Sequence, residues 1–121
     1  MKKLLLVFIL AILFLFACKS DVSIEANSLT GQWDLISAKR NGNTTSTLDK
    51  AFFSFTDGSL SHNINGEVVT SKYEKKSNKL IIYEDDILTE IELLSLVKDT
   101  LEISTKIQNF KFDFRLKKKN E

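Results

Sequence analysis

The sequence is poor in the residue types that build disulfides and metal clusters. Its 121 residues include one cysteine, one histidine and no proline. A single cysteine excludes an internal disulfide and an all-cysteine zinc cluster within the chain, and a single histidine excludes sites that need two imidazoles. The 17 basic and 16 acidic residues nearly balance, so the charge gives no indication of a nucleic-acid surface. What remains is a small globular protein, long enough for one domain.

The hydrophobic residues are concentrated at the N-terminus. Lys2 and Lys3 precede an uninterrupted apolar run from Leu4 to Ala17, which is shorter than the roughly 18 to 20 residues of a membrane-spanning helix. A basic start, a short apolar centre and a small final residue are typical of a secretory signal peptide. We therefore interpret residues 1–17 as a signal peptide. The alternatives are an uncleaved anchor and a plain signal peptide followed by a coincidental cysteine.

The one cysteine directly follows this run, in Leu15-Phe16-Ala17-Cys18. The segment resembles the lipobox of bacterial lipoproteins, in which a leucine and a small residue before the cysteine direct lipidation and cleavage. Phe16 is bulkier than the residue usual at its position. The resemblance implies a palmitate-bearing lipid on Cys18 that holds the protein at the outer membrane of the cell envelope, since several acyl chains give stable anchoring. Residues 18–28 are then the lipidated cysteine and a polar tether.

The rest of the chain has the pattern of an antiparallel β-protein. Asn41-Gly42, Asp57-Gly58 and Asn65-Gly66 supply the positive φ angles that two-residue hairpin turns require. Phe112, Phe114 and Leu116 alternate with charged residues, which is typical of a sheet with one buried and one solvated face. The sequence predicts strands at about 32–39, 51–56, 60–64, 68–74, 79–84, 87–96, 100–106 and 109–116.

These strands predict an all-β fold, either a sandwich or a barrel. The alternation in every strand favours an eight-stranded antiparallel up-and-down β-barrel over residues 29–118. Residues 85–97 also fit a helix, because their apolar residues have helical spacing and Asp85 or Asp86 is suited to cap it. The neighbouring hairpins favour a strand in this segment.

The first strand begins with a Gly-x-Trp element, Gly31-Gln32-Trp33. The elements that follow it are Ser37, Asn41-Gly42, Phe53-x-Phe55-x-Asp57-Gly58, Tyr73, Asn78-Lys79-Leu80 and Phe114-Arg115. In this order and spacing they resemble the small lipocalin-like domain lipoproteins of Bacteroidetes, over about residues 29–117. The resemblance implies a lipocalin-like barrel that Gly31 and Trp33 close at one end, with Arg115 packed over the indole. Such a cation–π contact contributes on the order of 0.5 to 2 kcal/mol. A solvated Arg115 on the outer face is the alternative.

The resemblance also implies that the barrel binds a small hydrophobic ligand in its interior or at its mouth. The candidate ligand-binding residues are Phe53, Phe55, Tyr73, Ile82, Phe110 and Phe112. An eight-stranded barrel is wide enough either for one small ligand or for its own side chains alone, and a small domain without disulfides needs most of its large side chains as a core. The alternative function is therefore a filled barrel that serves as a protein-interaction or inhibitor module of the cell envelope.

Candidate catalytic and metal-binding residues are few. His62 shares a strand face with Leu60 and Ile64, so it is either a ligand contact inside the barrel or a hydrogen-bonded residue at its mouth. The acidic run Glu84-Asp85-Asp86 lacks the spaced ligands and central glycine of a calcium loop, and we interpret it as a solvated turn. We expect no enzymatic activity, no metal and no cofactor, and a monomer that binds no nucleic acid.

Overall fold

A computed structural model describes residues 24–46 and 48–119 of the chain. The predicted signal peptide and Cys18 lie outside these residues. The described residues form one short helix, α1 (Ala26–Leu29), and nine strands: β1 (Gly31–Arg40), β2 (Asn43–Thr45), β3 (Phe52–Thr56), β4 (Ser59–His62), β5 (Val69–Lys76), β6 (Lys79–Tyr83), β7 (Glu90–Val97), β8 (Thr100–Ile107) and β9 (Phe110–Lys118). Within these two ranges, no helix has the length and apolar character needed to cross a membrane.

Eight of the strands close into a barrel. From β1, and then from β3 to β9, each strand pairs antiparallel with the next one, and β9 pairs with β1 to complete the ring. This confirms the predicted all-β fold and the eight-stranded antiparallel up-and-down barrel. The short strand β2 is not among the predicted strands. It pairs with Ala38–Arg40 at the far end of β1, because the Asn41-Gly42 turn folds the chain straight back.

The Asx-Gly pairs form different kinds of connection. Asn41 and Gly42 both have positive φ angles, 50° and 85°, as a type I′ hairpin turn requires. Asp57-Gly58 also joins two paired strands. Asn65-Gly66 instead lies inside the longer connection between β4 and β5. The positions of the Asx-Gly pairs therefore indicate the order of the strands, but they do not indicate the type of connection at each pair.

The barrel interior is filled by large apolar side chains. The fully buried ones are Trp33, Phe53, Phe55, Phe114, Leu29, Leu60, Leu80, Leu88, Ile91, Leu101, Ile103 and Leu116. Across the β8–β9 ladder, Leu101 lies opposite Leu116 and Ile103 lies opposite Phe114, so both strands present their apolar face to the same interior. Each such burial stabilises the fold by roughly 1.5 to 3 kcal/mol, and this core holds together a chain whose single cysteine allows no internal disulfide.

Two boundaries differ from those predicted. Ile24 is buried in the core, and Leu29 of α1 is buried as well. Ile24 lies within the predicted tether and is nevertheless part of the core, whereas residues 25–28 are exposed. In the segment 85–97, the strand begins only at Glu90 and no helix forms. The residues before Glu90 form the connection between β6 and β7.

Candidate functional site

Five of the six candidate ligand-binding residues meet inside the barrel. The rings of Phe55 and Tyr73 are in edge-to-face contact at 5.8 Å between centroids. Phe53 and Phe112 each contact the ring of Phe114 at 5.7 Å. Ile82 is buried and lies opposite Tyr73 in the β5–β6 ladder. These side chains pack against one another and against the rest of the core, so they occupy the space that they line.

The sixth residue, Phe110, lies apart from this cluster. Its side chain is 42% exposed, and the guanidinium carbon of Arg40 lies 5.2 Å from its ring centroid. Phe110 has the same strand face as Phe112, but it is the first residue of β9 and therefore lies at the rim, beyond the packed core. The alternation along β9 correctly predicts the strand face on which Phe110 lies. It does not indicate where along the barrel axis the packed core ends.

Trp33 and helix α1 lie together at the end of the barrel where the chain enters. The indole is buried, and its Nε1–H donates a hydrogen bond of 2.8 Å to the carbonyl oxygen of Leu29. Gly31 has a φ of 124°, and a Cβ atom at this position would approach Cε of Lys118 to 3.2 Å. Both the conformation and the close approach therefore favour glycine at the start of β1.

The cation beside the indole is Lys118, which corrects the prediction for Arg115. The Nζ atom of Lys118 lies 5.8 Å from the Trp33 ring centroid. Arg115 points away from the interior, and its Nη2 and Nε donate to Oε1 of Glu102 at 2.8 and 3.1 Å. The period of two along β9 explains the difference: Lys118 follows Leu116 on the inward face, whereas Arg115 lies on the outward face.

At the opposite end of the barrel, a histidine and an aspartate form a buried pair. His62 Nε2 lies 2.7 Å from Asp85 Oδ2, and each side chain is 1% exposed. The backbone N–H of Ile64 donates to His62 Nδ1 at 3.3 Å. Because Nδ1 accepts this bond, Nε2 carries the proton that is donated to Asp85. Both ring nitrogens are therefore engaged, so in this arrangement neither is free to act as a general base.

Asp85 also organises the connection between β6 and β7. Its Oδ1 accepts hydrogen bonds from the backbone N–H groups of Ile87 (2.8 Å) and Leu88 (3.0 Å). Burial by itself would raise the pKa of Asp85, but the hydrogen bonds that its carboxylate accepts from His62, Leu88 and Ile87 outweigh burial and lower the pKa below its ordinary value. The side chain of Leu88 is fully buried, so the connection between β6 and β7 covers this end of the barrel. The His62–Asp85 pair holds that connection in place.

The buried position of Asp85 corrects the interpretation of Glu84-Asp85-Asp86 as a solvated turn. Glu84 and Asp86 are exposed, but Asp85 is buried. The available signal was His62 itself, since a histidine on an apolar strand face needs a polar partner when it is buried. Among the described residues, no group of three or more histidine or acidic residues is arranged to hold a metal ion.

The outer wall formed by β7, β8, β9 and β1 contains two β-bulges, and we call it the bulged wall. The register shifts between Leu35 and Ser37 in the β1–β9 ladder and between Leu93 and Ser95 in the β7–β8 ladder. Each bulge adds one residue to its strand, which turns Ile36 and Leu94 outward. Their side chains are 53% and 49% exposed.

The two bulges lie at the same level of the barrel. Ser95 is opposite Glu102, Glu102 is opposite Arg115, and Arg115 is opposite Ser37. The exposed Glu102–Arg115 ion pair therefore lies between the two bulges. A groove of about 400 Å³ runs along this part of the wall, and its lining includes Ser37, Lys39, Leu94, Glu102, Asp113 and Arg115.

Comparisons with known proteins identify no family for this chain. No protein-family model matches it, and no curated protein matches it. Among solved structures, the fold is similar to that of an uncharacterized protein from Bacteroides eggerthii, with 16% sequence identity and a TM-score of 0.49 over 72% of this chain and 98% of that chain.

Proposed function

We propose that the protein is a lipid-anchored lipocalin-like lipoprotein of the cell envelope, whose filled barrel binds a protein partner through the bulged wall. The observation that carries this proposal is the pair of bulges at one level of the wall. In a regular strand, the residues directly before and after an outward residue point inward. At each bulge, Ile36 or Leu94 is instead followed by a second outward residue. The bulges instead add an apolar side chain to the polar outer face of two separate strands.

Exposed apolar side chains at such irregularities support binding rather than stability. Bulges re-aim side chains and are found next to functional sites. About half of Ile36 and half of Leu94 is in solvent, so each residue contributes less to stability than a core residue does. Apolar side chains around an arginine, with a polar rim, are the composition that protein interfaces favour.

The charges of the groove specify the kind of partner. Lys39 and Arg115 are balanced by Glu102 and Asp113 within the same groove. A nucleic acid or an anionic membrane surface would require an excess of basic residues. A protein surface that presents apolar side chains together with both an acidic and a basic group complements this wall.

The other function predicted from the sequence, binding of a small hydrophobic ligand by Phe53, Phe55, Tyr73, Ile82, Phe110 and Phe112, has less support. The rings of this set that lie inside the barrel contact one another or Phe114. The end near His62 is covered by the buried side chain of Leu88. A ligand would have to displace these contacts in order to enter.

The partner is tested by photo-crosslinking in intact cells of the native host. A photoreactive residue at position 94 should crosslink to one protein, and Ile36→Ser should abolish that crosslink. The control places the probe at Val68, an apolar residue outside the bulged wall that is 64% exposed, compared with 49% for Leu94. Equal crosslinking from both positions, or none from position 94, would exclude the wall as the binding surface.

The anchor is tested separately by Cys18→Ser. We expect this variant to be released from the membrane fraction after signal cleavage. Retention of the cleaved variant in the membrane would contradict lipidation at Cys18. The crosslinking tests the binding surface independently of this result.

A further inference from the structure

We propose that one corner of the barrel end near Trp33 docks on the surface of the membrane that anchors the protein. This proposal rests on the lipid anchor proposed at Cys18. The corner consists of residues 97–99, at the tip of the β7–β8 hairpin, and residues 117–119, at the end of β9, and we call it the basic corner. Its partner is a bilayer that contains anionic phospholipid.

Backbone hydrogen bonds connect the basic corner to the strand at which the chain enters the barrel. The N–H of Lys118 donates to the carbonyl oxygen of Asp99 at 2.8 Å, and the N–H of Lys119 donates to that of Gln32 at 2.9 Å. Gln32 is the second residue of β1, and the chain reaches β1 from Ile24 through helix α1. The basic corner therefore lies beside the point where the segment from the anchor meets the barrel.

The segment between the anchor and the barrel is too short to lift the barrel far from the membrane. Ile24 is buried in the core and comes six positions after Cys18. A fully extended chain spans at most about 3.3 to 3.6 Å per residue, so this segment reaches about 20 Å. Because the lipid would hold Cys18 at the bilayer, the barrel end beside Ile24 stays close to the lipid headgroups.

The lysines give the basic corner an excess of positive charge. Lys98, Lys117 and Lys119 are exposed. Within residues 24–46 and 48–119, none of the three makes an ion pair or hydrogen bond through its side chain. Asp99 is the one acidic residue of the corner. Anionic phospholipids attract such a group of lysines near the membrane surface.

Val97 gives the basic corner an apolar tip. Its side chain is 65% exposed, the highest value among the large hydrophobic residues that the structure describes. The β6–β7 ladder ends at the pair Lys79–Glu92, whereas the β7–β8 ladder continues to the pair Val97–Thr100, so the tip of the hairpin extends past the start of β6. An apolar side chain beside lysines fits the boundary between headgroups and acyl chains.

The test compares two labelled positions of the lipidated protein in lipid nanodiscs. The chain has one cysteine, which the lipid would occupy, so Val97→Cys and Val68→Cys each introduce one free thiol for an environment-sensitive fluorophore. Val68 is the matched control, because it is 64% exposed and lies in the connection between β4 and β5 at the opposite barrel end. In discs of phosphatidylcholine and phosphatidylglycerol, we expect a blue-shifted emission and protection from acrylamide quenching at position 97, and neither at position 68.

The role of the lysines is tested by changing three of them to glutamine together, at positions 98, 117 and 119. Each lysine near an anionic surface contributes about fivefold to binding, so this variant should lower the ratio of docked to undocked protein by at least about tenfold. Raising the ionic strength from about 0.15 M to 1 M shortens the screening length from about 8 Å to 3 Å and should also release the corner. A control variant with the same change in net charge replaces three exposed lysines away from the corner and should remain docked: Lys50, Lys106 and Lys111.

The outcomes separate the docking from the anchor and from the bulged wall. Equal emission at positions 97 and 68, with the protein still attached to the discs, would overturn the docking and leave the anchor intact. Release of the protein from the discs would contradict the anchor, and the docking with it. An equal shift at position 97 in discs of phosphatidylcholine alone, or equal undocking of the two triple variants, would overturn recognition of anionic lipid by the basic corner. Ile36→Ser should leave the emission at position 97 unchanged, so failure of the bulged wall is recognised separately.

Discussion

The imidazole of His62 donates its Nε2 proton to Asp85 across 2.7 Å, inside a barrel end where each side chain is only 1% exposed. His62 lies in β4 and Asp85 lies in the connection between β6 and β7. Because β5 separates β4 from β6, their bond joins parts of the barrel that no ladder connects directly. It also fixes the turn that buries Leu88. The His62–Asp85 bond is therefore one of the contacts that set the geometry of this barrel end.

Removing one partner of this pair should cost much more stability than removing an exposed ion pair. His62→Ala leaves a buried carboxylate short of one hydrogen bond, and we expect a loss of about 3 kcal/mol in the free energy of unfolding. Glu102→Gln removes the solvated partner of Arg115 and should cost less than about 1 kcal/mol. Urea unfolding measures both, and equal losses would show that the buried pair has no special role.

Asp85 should also contribute to the acid sensitivity of the fold. Its pKa is lower in the folded protein than in the unfolded chain, where it lies near 3.9. The carboxylate therefore stabilises the fold above about pH 4, and this contribution disappears as the pH falls through the folded pKa. Asp85→Asn should be less stable than the parent near pH 6 and should lose less stability between about pH 5 and pH 3. Parallel curves of unfolding free energy against pH for the two proteins would contradict this assignment.

The fluorescence of Trp33 should distinguish Lys118 from Arg115. The chain has one tryptophan, so its emission reports only on the barrel end that it closes. Lys118→Met removes the cation 5.8 Å from the ring and should change the emission intensity, with a loss of about 0.5 to 1 kcal/mol of stability. Arg115→Met, on the outer face, should leave the emission unchanged. A larger spectral response to Arg115→Met would restore the original prediction.

The chain before β1 should behave as part of the domain. Ile24 is buried in the core, and Ile24→Ala should lower the free energy of unfolding by about 2 kcal/mol. The neighbouring residue Glu25 is exposed, so Glu25→Ala serves as the control and should have almost no effect. Chemical denaturation of both variants decides whether residue 24 belongs to the tether or to the fold.

Both tyrosines should ionise above the ordinary value of about 10. The pKa of Tyr83 is raised mainly by the hydrogen bond to Glu74, and the pKa of Tyr73 is raised mainly by burial, with a further contribution from the charge of Asp57. Glu74→Gln should therefore lower the midpoint of one tyrosine in a spectrophotometric titration and leave the other unchanged. A shift of both midpoints would mean that the substitution disturbs the sheet as a whole.

The fold was predictable because its signals are local. Alternation along β9 needs only the chain itself, and Asn41-Gly42 specifies a turn from two residues. The same alternation predicts that Lys118 faces inward, since Lys118 continues the face of Leu116. The prediction for Arg115 was based on the resemblance instead of this alternation, and it was wrong for that reason.

The site depended on information that adjacent residues do not carry. The outward position of Ile36 depends on a register shift between β1 and β9, and the pairing register is decided by the packing of the whole sheet. Asp85 meets His62 across 23 positions of sequence, and an acidic run by itself gives no sign of which carboxylate is buried.

The pairing of β9 with β1 also determines when the protein can finish folding. Strand β1 cannot complete its pairing before β9 is present, because Trp33 to Arg40 pair along this edge with Phe112 to Lys118. Until that segment has been synthesised, β1 and β8 each have an open edge to which another chain can add. Contacts of such long sequence separation slow folding, so the unclosed intermediate is the state most exposed to aggregation. A truncation that removes β9 would therefore prevent the barrel from closing, and its main phenotype should be aggregation.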